Sequence, residues 1–343
     1  MKNLLRKPLR WGVCLILAGF VLTMADLAIL GFNPRRLDTV HYQRKTETVS
    51  DRFESLSILA VSHDVRLLPS EDGSCQVVYD ESEQTTFAIE VKHGTLSVHE
   101  KNIAKWYNHI GVFFSGDTPE LTLYLPARQY RALALQTTSG NILVDESFSF
   151  HQAELRSTSG DIAFSSAVAE KLSLINTSGD IKLRGIRAGS IQADTTSGEI
   201  DLTDITAKGD ARFKAVSGDI VLKQVSAGST SVQTTSGEIR LENGRTGGLN
   251  AASTSGDIGL IATVAAGPAK LETVSGEIRF DRFDAASLDI RTVSGNAEGS
   301  LLSGKIFDYS TTSGSIRVPH DDPDGGRFYA KTTSGDVEIE IIR

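Results

Sequence analysis

The chain has 343 residues, 40% hydrophobic and 23% charged, which excludes wholesale disorder and allows one large or two ordinary domains. Its formal net charge is −8; Lys2, Arg6, Lys7 and Arg10 against Asp26 give residues 1–32 a net of +3, leaving −11 on residues 33–343. A body that acidic repels phosphate backbones, so nucleic acid is not an expected partner.

Residues 1–32 read as an N-terminal transmembrane anchor or signal segment. Four basic side chains lie in residues 1–10, and Trp11 to Phe32 then carry only Asp26 as a charge. At about 1.5 Å per helical residue this run crosses a ~30 Å hydrocarbon core. The short basic stretch predicts a cytoplasmic N-terminus and an extracytoplasmic body, periplasmic or extracellular. A retained anchor through residues 11–32 is the expectation, with cleavage after Ala25 (Thr23 at the −3 place) the alternative. Cys14 lies inside this run, so Cys75 is the single thiol beyond it, and no disulfide is expected there.

Residues 33–49 read as a polar stalk, and residues 50–130 as irregular first coils and a cap. His63-Asp64-Val65-Arg66-Leu67 and His93-Gly94-Thr95-Leu96-Ser97-Val98 each resemble a bend followed by a strand. Leu121 to Leu125 alternates cleanly and stops at Pro126. Trp106, Tyr107, Phe113 and Phe114 are expected to pack over the end of a core, an exposed contact patch being the sharper alternative.

Residues 131–343 carry one repeat. A Ser-Gly pair recurs at Gly140, Gly160, Gly179, Gly198, Gly218, Gly237, Gly256, Gly276, Gly295, Gly314 and Gly335, at intervals of 19 to 21 residues. Two residues past each glycine stands Ile142, Ile162, Ile181, Ile200, Ile220, Ile239, Ile258, Ile278, Ala297, Ile316 or Val337, and four past it usually another apolar side chain, Gly299 being the exception. The same alternation precedes the pair, as in Leu133/Leu135 and Leu288/Ile290. A third apolar place follows seven or eight residues on, at Val168, Ile186, Ile205, Val225, Val264 and Phe283. Period two on both sides of a bend means short strands, and glycine suits the bend because it tolerates positive φ. The expected fold is all-β: a single-stranded β-solenoid of stacked coils of about 19–20 residues, behind an N-terminal transmembrane helix. Thr137, Thr195, Thr234, Thr273, Thr292, Thr311 and Thr332, three before the glycine, are expected to point inward as a hydroxyl ladder. The last strand, Val337 to Ile341, is expected to present an open edge guarded by Glu338 and Glu340, with the ectodomain monomeric.

The residue after the glycine is acidic in seven consecutive units: Asp161, Asp180, Glu199, Asp219, Glu238, Asp257 and Glu277. One column of outward carboxylates is expected, either a solvated face or a weak strip for divalent cations. No nucleotide loop, no His-Glu-x-x-His, no Gly-x-Ser-x-Gly and no paired histidine spacing occurs, so no catalytic residue, metal or cofactor is expected.

Phe53–Ala60 leading to Asp64-Val65, Leu121–Pro126 with Gln129-Tyr130-Arg131-Ala132-Leu133, and the run of Thr-Ser-Gly-Asp/Glu-Ile units together resemble the putative-adhesin family of bacterial β-strand-repeat domains, over residues 53–343. The resemblance implies a non-enzymatic solenoid at the cell envelope, adhesin-like or a scaffold, in contact with envelope proteins or cell-surface components. As the runner-up it implies a regulatory ectodomain partner of a membrane envelope-stress signalling system. It carries no catalytic residues.

Overall fold

The computed structural model describes Gly19, Val21, residues 41–103 and residues 118–342. Apart from Gly19 and Val21, the expected membrane segment lies outside the described residues, as do residues 33–40 of the stalk and the aromatic stretch from Trp106 to Phe114. Among the described residues no helix is long and apolar enough to cross a membrane.

Alternation in the repeat becomes a three-sided coil. In one turn Ile191, Ala193 and Thr195 point inward, Ser197-Gly198 makes a corner, Ile200 and Leu202 point inward, Asp204 makes a second corner, and Ile205 and Ala207 point inward before Gly209 makes the third. Successive coils pair in parallel, so Ile142, Ile162, Ile181, Ile200, Ile220, Ile239, Ile258 and Ile278 are consecutive partners, followed by Ala297 and Val337. The all-β solenoid is therefore as expected, with two local corrections. Val264 points outward and Thr263 and Ala265 take the inward places beside it. At Gly299 the ring of Phe280 already fills the interior, since a Cβ there would lie 2.5 Å from Phe280 Cδ2.

Each corner has its own cause. At the Ser-Gly corner a Cβ on the glycine would sit 1.8–2.6 Å from the carbonyl of the equivalent residue in the neighbouring coil, at all eleven positions. Positive φ applies at Gly179, Gly198, Gly218, Gly237 and Gly335 alone, so close approach of backbones, more than torsional freedom, requires the residue type. The second corner is a left-handed residue: Gly185, Asp204, Gln224, Asn243, Ala262 and Arg282, with φ between 47° and 64°. At the third corner stand Gly189, Gly209, Gly228, Gly247 and Gly267, each against a carbonyl of the coil below. The ladder there shifts register, as a bulge does.

The N-terminal end is built from β1 (Gln43–Val49), β2 (Ser55–Leu59), β3 (Asp64–Pro69), β4 (Cys75–Glu81), β5 (Thr85–Lys92), β6 (Thr95–Asn102) and β7 (Glu120–Leu125). The second part of the expected stalk is thus β1, paired antiparallel with β4. β2 and β3 form the first coil, but that coil does not lie at the end of the stack. β2 sits between β6 and β8 (Gln129–Thr137), and β3 between β7 and β9 (Ile142–Val144). His93 and Gly94, both at positive φ, make the two-residue turn of the antiparallel β5–β6 hairpin rather than a solenoid corner.

The C-terminal end repeats the device. Gly326–Lys331 pairs with the strand containing Leu288 and Ile290 on one side and with Lys305–Ser310 on the other. Val337–Ile341 lies between Ala297–Leu301 and Ile316–Arg317. The last coil in sequence is second to last in space, and the coil of Gly314 closes the stack. This corrects the expectation that Val337–Ile341 is the open edge. The interior place goes to the more apolar coil, whose Phe328, Ala330, Val337 and Ile339 are all buried, while Tyr309 and Ile316 of the outer coil remain exposed. Part of the outer edge is covered by the connecting loop: Asp321 accepts the Phe307 N–H, and the Asp322 N–H donates to the Lys305 carbonyl. Across the side-chain-free Gly325 and Gly326, the buried Lys305 ammonium reaches Asp284 Oδ1 at 2.6 Å, the Ala285 carbonyl at 2.9 Å and Ser303 Oγ at 2.7 Å.

Three tests follow from these contacts. Gly218→Ala should destabilise by about 1–3 kcal/mol through overpacking, whereas Ala262→Gly, relieving a left-handed backbone, should stabilise by roughly 1 kcal/mol; denaturant unfolding reads both. Hydrogen exchange should find the Val337 and Ile339 amides better protected than those of Tyr309 and Ile316, the reverse of chain-end fraying. Lys305→Ala, leaving Asp284 without its ion-pair partner, should cost about 3 kcal/mol.

Candidate functional site

The acidic column exists as expected, but its aspartates are occupied. Asp161 Oδ1 accepts the Asp180 N–H at 2.9 Å, and Asp180 Oδ1 the Glu199 N–H at 3.0 Å. Asp219 accepts from Glu238 at 2.7 Å, and Asp257 from Glu277 at 2.8 Å. Asn141 and Asn296 do the same work in their coils. An aspartate reaches one coil along the stack; a glutamate carries its carboxylate past that point and pairs sideways, Glu238 with Arg240 at 2.7 Å and Glu277 with Arg279. The backbone hydrogen bond from Glu199, helped by Lys182, holds Asp180 below the usual carboxylate range, and the Ser315 N–H does so for Asp336. Among the described residues no group of three or more His, Cys, Asp or Glu is arranged to hold a metal ion.

The threonines are inward, but they do not bond to one another. Thr234 and Thr273 each donate to the corner glycine carbonyl of the neighbouring coil, Gly218 and Gly256, at 3.1 Å, and Thr292, Thr311 and Thr332 make the same bond at 3.2–3.4 Å. The glycine N–H in turn donates to the serine carbonyl of the next coil, as Gly198 does to Ser217 at 3.1 Å. Threonine, glycine, aspartate and isoleucine of the motif are each accounted for by stacking.

His63 occupies the glycine's place in the first coil. Its ring is fully buried, with Nε2 2.7 Å from the Asp80 carbonyl oxygen and Nδ1 3.1 Å from Glu100 Oε2, and it meets Phe87 edge-on at 4.8 Å between centroids. The Nδ1 contact is close enough for charge pairing but out of line for a hydrogen bond. Glu100 also accepts the Val61 and Ser62 N–H groups. Burial pushes Glu100 up, yet the His63 contact and these donors outweigh it and leave the carboxyl below its ordinary range. Burial likewise raises Asp80, and Arg44 with the Glu120 N–H brings it below. A carboxyl depressed in the folded state stabilises above its unfolded pKa, roughly 4, and that stability disappears as pH falls through the folded value. The melting temperature should therefore drop between about pH 5 and pH 3; Glu100→Gln should start lower at pH 7 and fall less steeply. The buried Cys75 thiol is pushed up to about 11 by burial, so it stays protonated and unreactive at neutral pH.

On one flank the outward side chains form a surface that stacking does not account for. Lateral register sets small side chains side by side across three strands: Thr95, Ser55 and Ala132 in one row, Ser97, Ser57 and Ala134 in the next. Their neighbours stand taller: Glu90 and Lys92 of β5 on one side, Gln152 and Glu154 of β10 (Ser149–Ser157) on the other. Two depressions follow one another along this trough. One, of about 590 Å³, is lined by Glu54, Arg128, Gln129, Arg131, His151, Gln152 and Glu170; the other, of about 330 Å³, by Ser57, Leu59, His99, Gln136, Glu154 and Arg156. Arg128 is fixed by its bond to the Phe53 carbonyl and by stacking 4.8 Å above the Tyr130 ring centroid. Gln152 donates to Glu170 at 2.7 Å, and Arg156 pairs with Glu154. The side chains of Glu54, Arg131 and His151 have no hydrogen bond or ion pair among the described residues. Sequence reasoning missed this trough; the signal was a set of small outward residues in three strands distant in sequence.

A parallel β-solenoid closed at both ends by interleaved coils, with a polar trough on its flank, is the class of protein these features define. The Toastrack DUF4097 family matches residues 53–258, 191–297 and 245–342, and the chain belongs to it. It is a putative-adhesin family of domains of unknown function. No curated protein matches the chain. Among solved structures it is similar to a putative adhesin from Bacteroides fragilis (11% identity, 87% of this chain and 97% of that one, TM-score 0.37). A putative adhesin from Parabacteroides distasonis (11%, 88% and 98%, TM-score 0.30) and a putative lipid binding protein from the same species (15%, 87% and 97%, TM-score 0.29) are also similar. These likenesses are too distant to argue from.

Proposed function

We propose that the protein is a non-enzymatic, membrane-anchored component of the cell envelope that works as an adhesin-like or scaffold protein through the trough on β6, β2, β8 and β10. Residues 11–32 hold it in the membrane, with the solenoid extracytoplasmic and monomeric. The observation that carries this reading is the contrast between polar columns. The threonines, glycines and aspartates of the repeat are engaged in stacking, whereas Glu54, Arg131 and His151 converge on a depression with no partner among the described residues. Such groups are free to exchange water for a ligand at little cost to the fold.

Fractionation of cells with in-cell photo-crosslinking tests the proposal. The protein should pellet with membranes, and a photo-reactive residue replacing Arg131 should capture envelope components that one replacing Lys223 does not. A cytosolic protein, or identical capture from both positions, would overturn it.

A further inference from the structure

We infer that the trough binds a neutral, extended glycan segment, an inference that deepens the reading of this surface as the interaction site. Three observations select that chemistry. The first is that the floor strands are already paired on both sides, β2 between β6 and β8, so a polypeptide cannot add to the sheet there by its backbone. Whatever binds is recognised by side chains.

The second is the balance of the lining. Arg128, Arg131 and Arg156 stand against Glu54, Glu154 and Glu170, so the trough carries no net formal charge on a body that is strongly acidic. A polyanion would face three carboxylates inside the trough and the acidic body around it, and a polycation would face three guanidinium groups. Gln129, Gln136 and Gln152 add amides, each with both a donor and an acceptor end. A hydroxyl donates and accepts through one atom, so a chain of hydroxyl-bearing rings satisfies such alternating groups where an ion of either sign leaves half of them unmatched. Recognition by hydrogen bonding also discriminates, because a ligand lacking a hydroxyl leaves a polar group of the site unpaired.

The third is shape. Ala132 lowers the floor of the first depression, and Ala134 with Ser57 that of the second, so the low ground spans adjacent strands at ~4.8 Å each and follows them for several residues at ~3.3 Å per residue. The site is an open channel for several rings, not a closed cavity for one small molecule. Arg128, pinned over Tyr130, presents a guanidinium already ordered before binding, which lowers the entropy lost on association.

Isothermal titration calorimetry on the full chain in detergent micelles tests this, with chitohexaose, cellohexaose and maltohexaose as neutral probes and polyglutamate and polylysine as charged ones. At least one neutral hexasaccharide should give saturable heat, and Arg131→Ala and His151→Ala should each weaken that binding about tenfold. Lys223→Ala, on a distant coil, should leave it unchanged. Both trough residues are exposed and lack partners among the described residues, so circular dichroism and melting temperature should stay at their wild-type values. Binding of a charged polymer in preference to the neutral sugars, heat that survives both trough substitutions, or no heat from any of the three hexasaccharides would overturn the inference. Membrane fractionation and crosslinking do not depend on which ligand fills the trough, so failure of the glycan assignment and failure of the envelope role are read separately.

Discussion

The close approach of one coil's corner to the next governs this molecule. At each Ser-Gly corner the backbone of a coil passes so near the carbonyl of its neighbour that a single carbon would not fit. That proximity explains the surrounding residues. The crowded carbonyl accepts a threonine hydroxyl from the adjacent coil, the glycine N–H reaches the next serine carbonyl, and the aspartate beside it caps the N–H of its counterpart. Backbone groups at a bend are costly when they are left unpaired, and here the motif supplies partners from across the stack. The recurring isoleucine then faces its copies above and below, and burial of that column is the hydrophobic term that offsets ordering of the chain.

Such a stack has two ends, and ends are where a solenoid exposes core and unpaired strand. Both are closed by taking the chain's first and last coils out of sequence order. The coil of β2 and β3 is covered by β6 and β7, and the coil of Gly335 by the coil of Gly314. A terminal segment held between two coils must break contacts on both sides to leave. Each end adds a buried polar clasp: His63 with Glu100 at one, Lys305 with Asp284 at the other. Contacts of this kind favour one arrangement, because breaking them leaves a buried carboxylate or ammonium without its partner.

The flank is freer than the corners. Outward positions along a strand are not constrained by stacking, so their composition is where a solenoid can carry recognition without loss of fold. On coils near the N-terminal end they are small in the middle and polar at the rims, and the depression there holds the side chains of Arg131 and His151 without partners among the described residues. Further along, some outward groups pair among themselves, as Arg212 with Asp210 and Lys270 with Glu272. A single body thus separates a self-satisfied spine from a surface open to a ligand.

The sequence by itself determined the solenoid, its coil length, the inward isoleucine column and the row of acidic residues, because a period of 19 or 20 with alternation inside it leaves one way to bury the apolar side chains. It did not determine the order of the terminal coils. Residues 305–318 and 326–341 share the same grammar, and only packing decides that Val337 and Ile339 lie inside while Ile316 caps. Nor did it reveal the left-handed corner, where Asp204, Gln224, Ala262 and Arg282 have no residue type in common. The trough was beyond reach for the same reason: Ser55, Thr95 and Ala132 lie far apart along the chain and become neighbours only through lateral register, which tertiary structure alone creates.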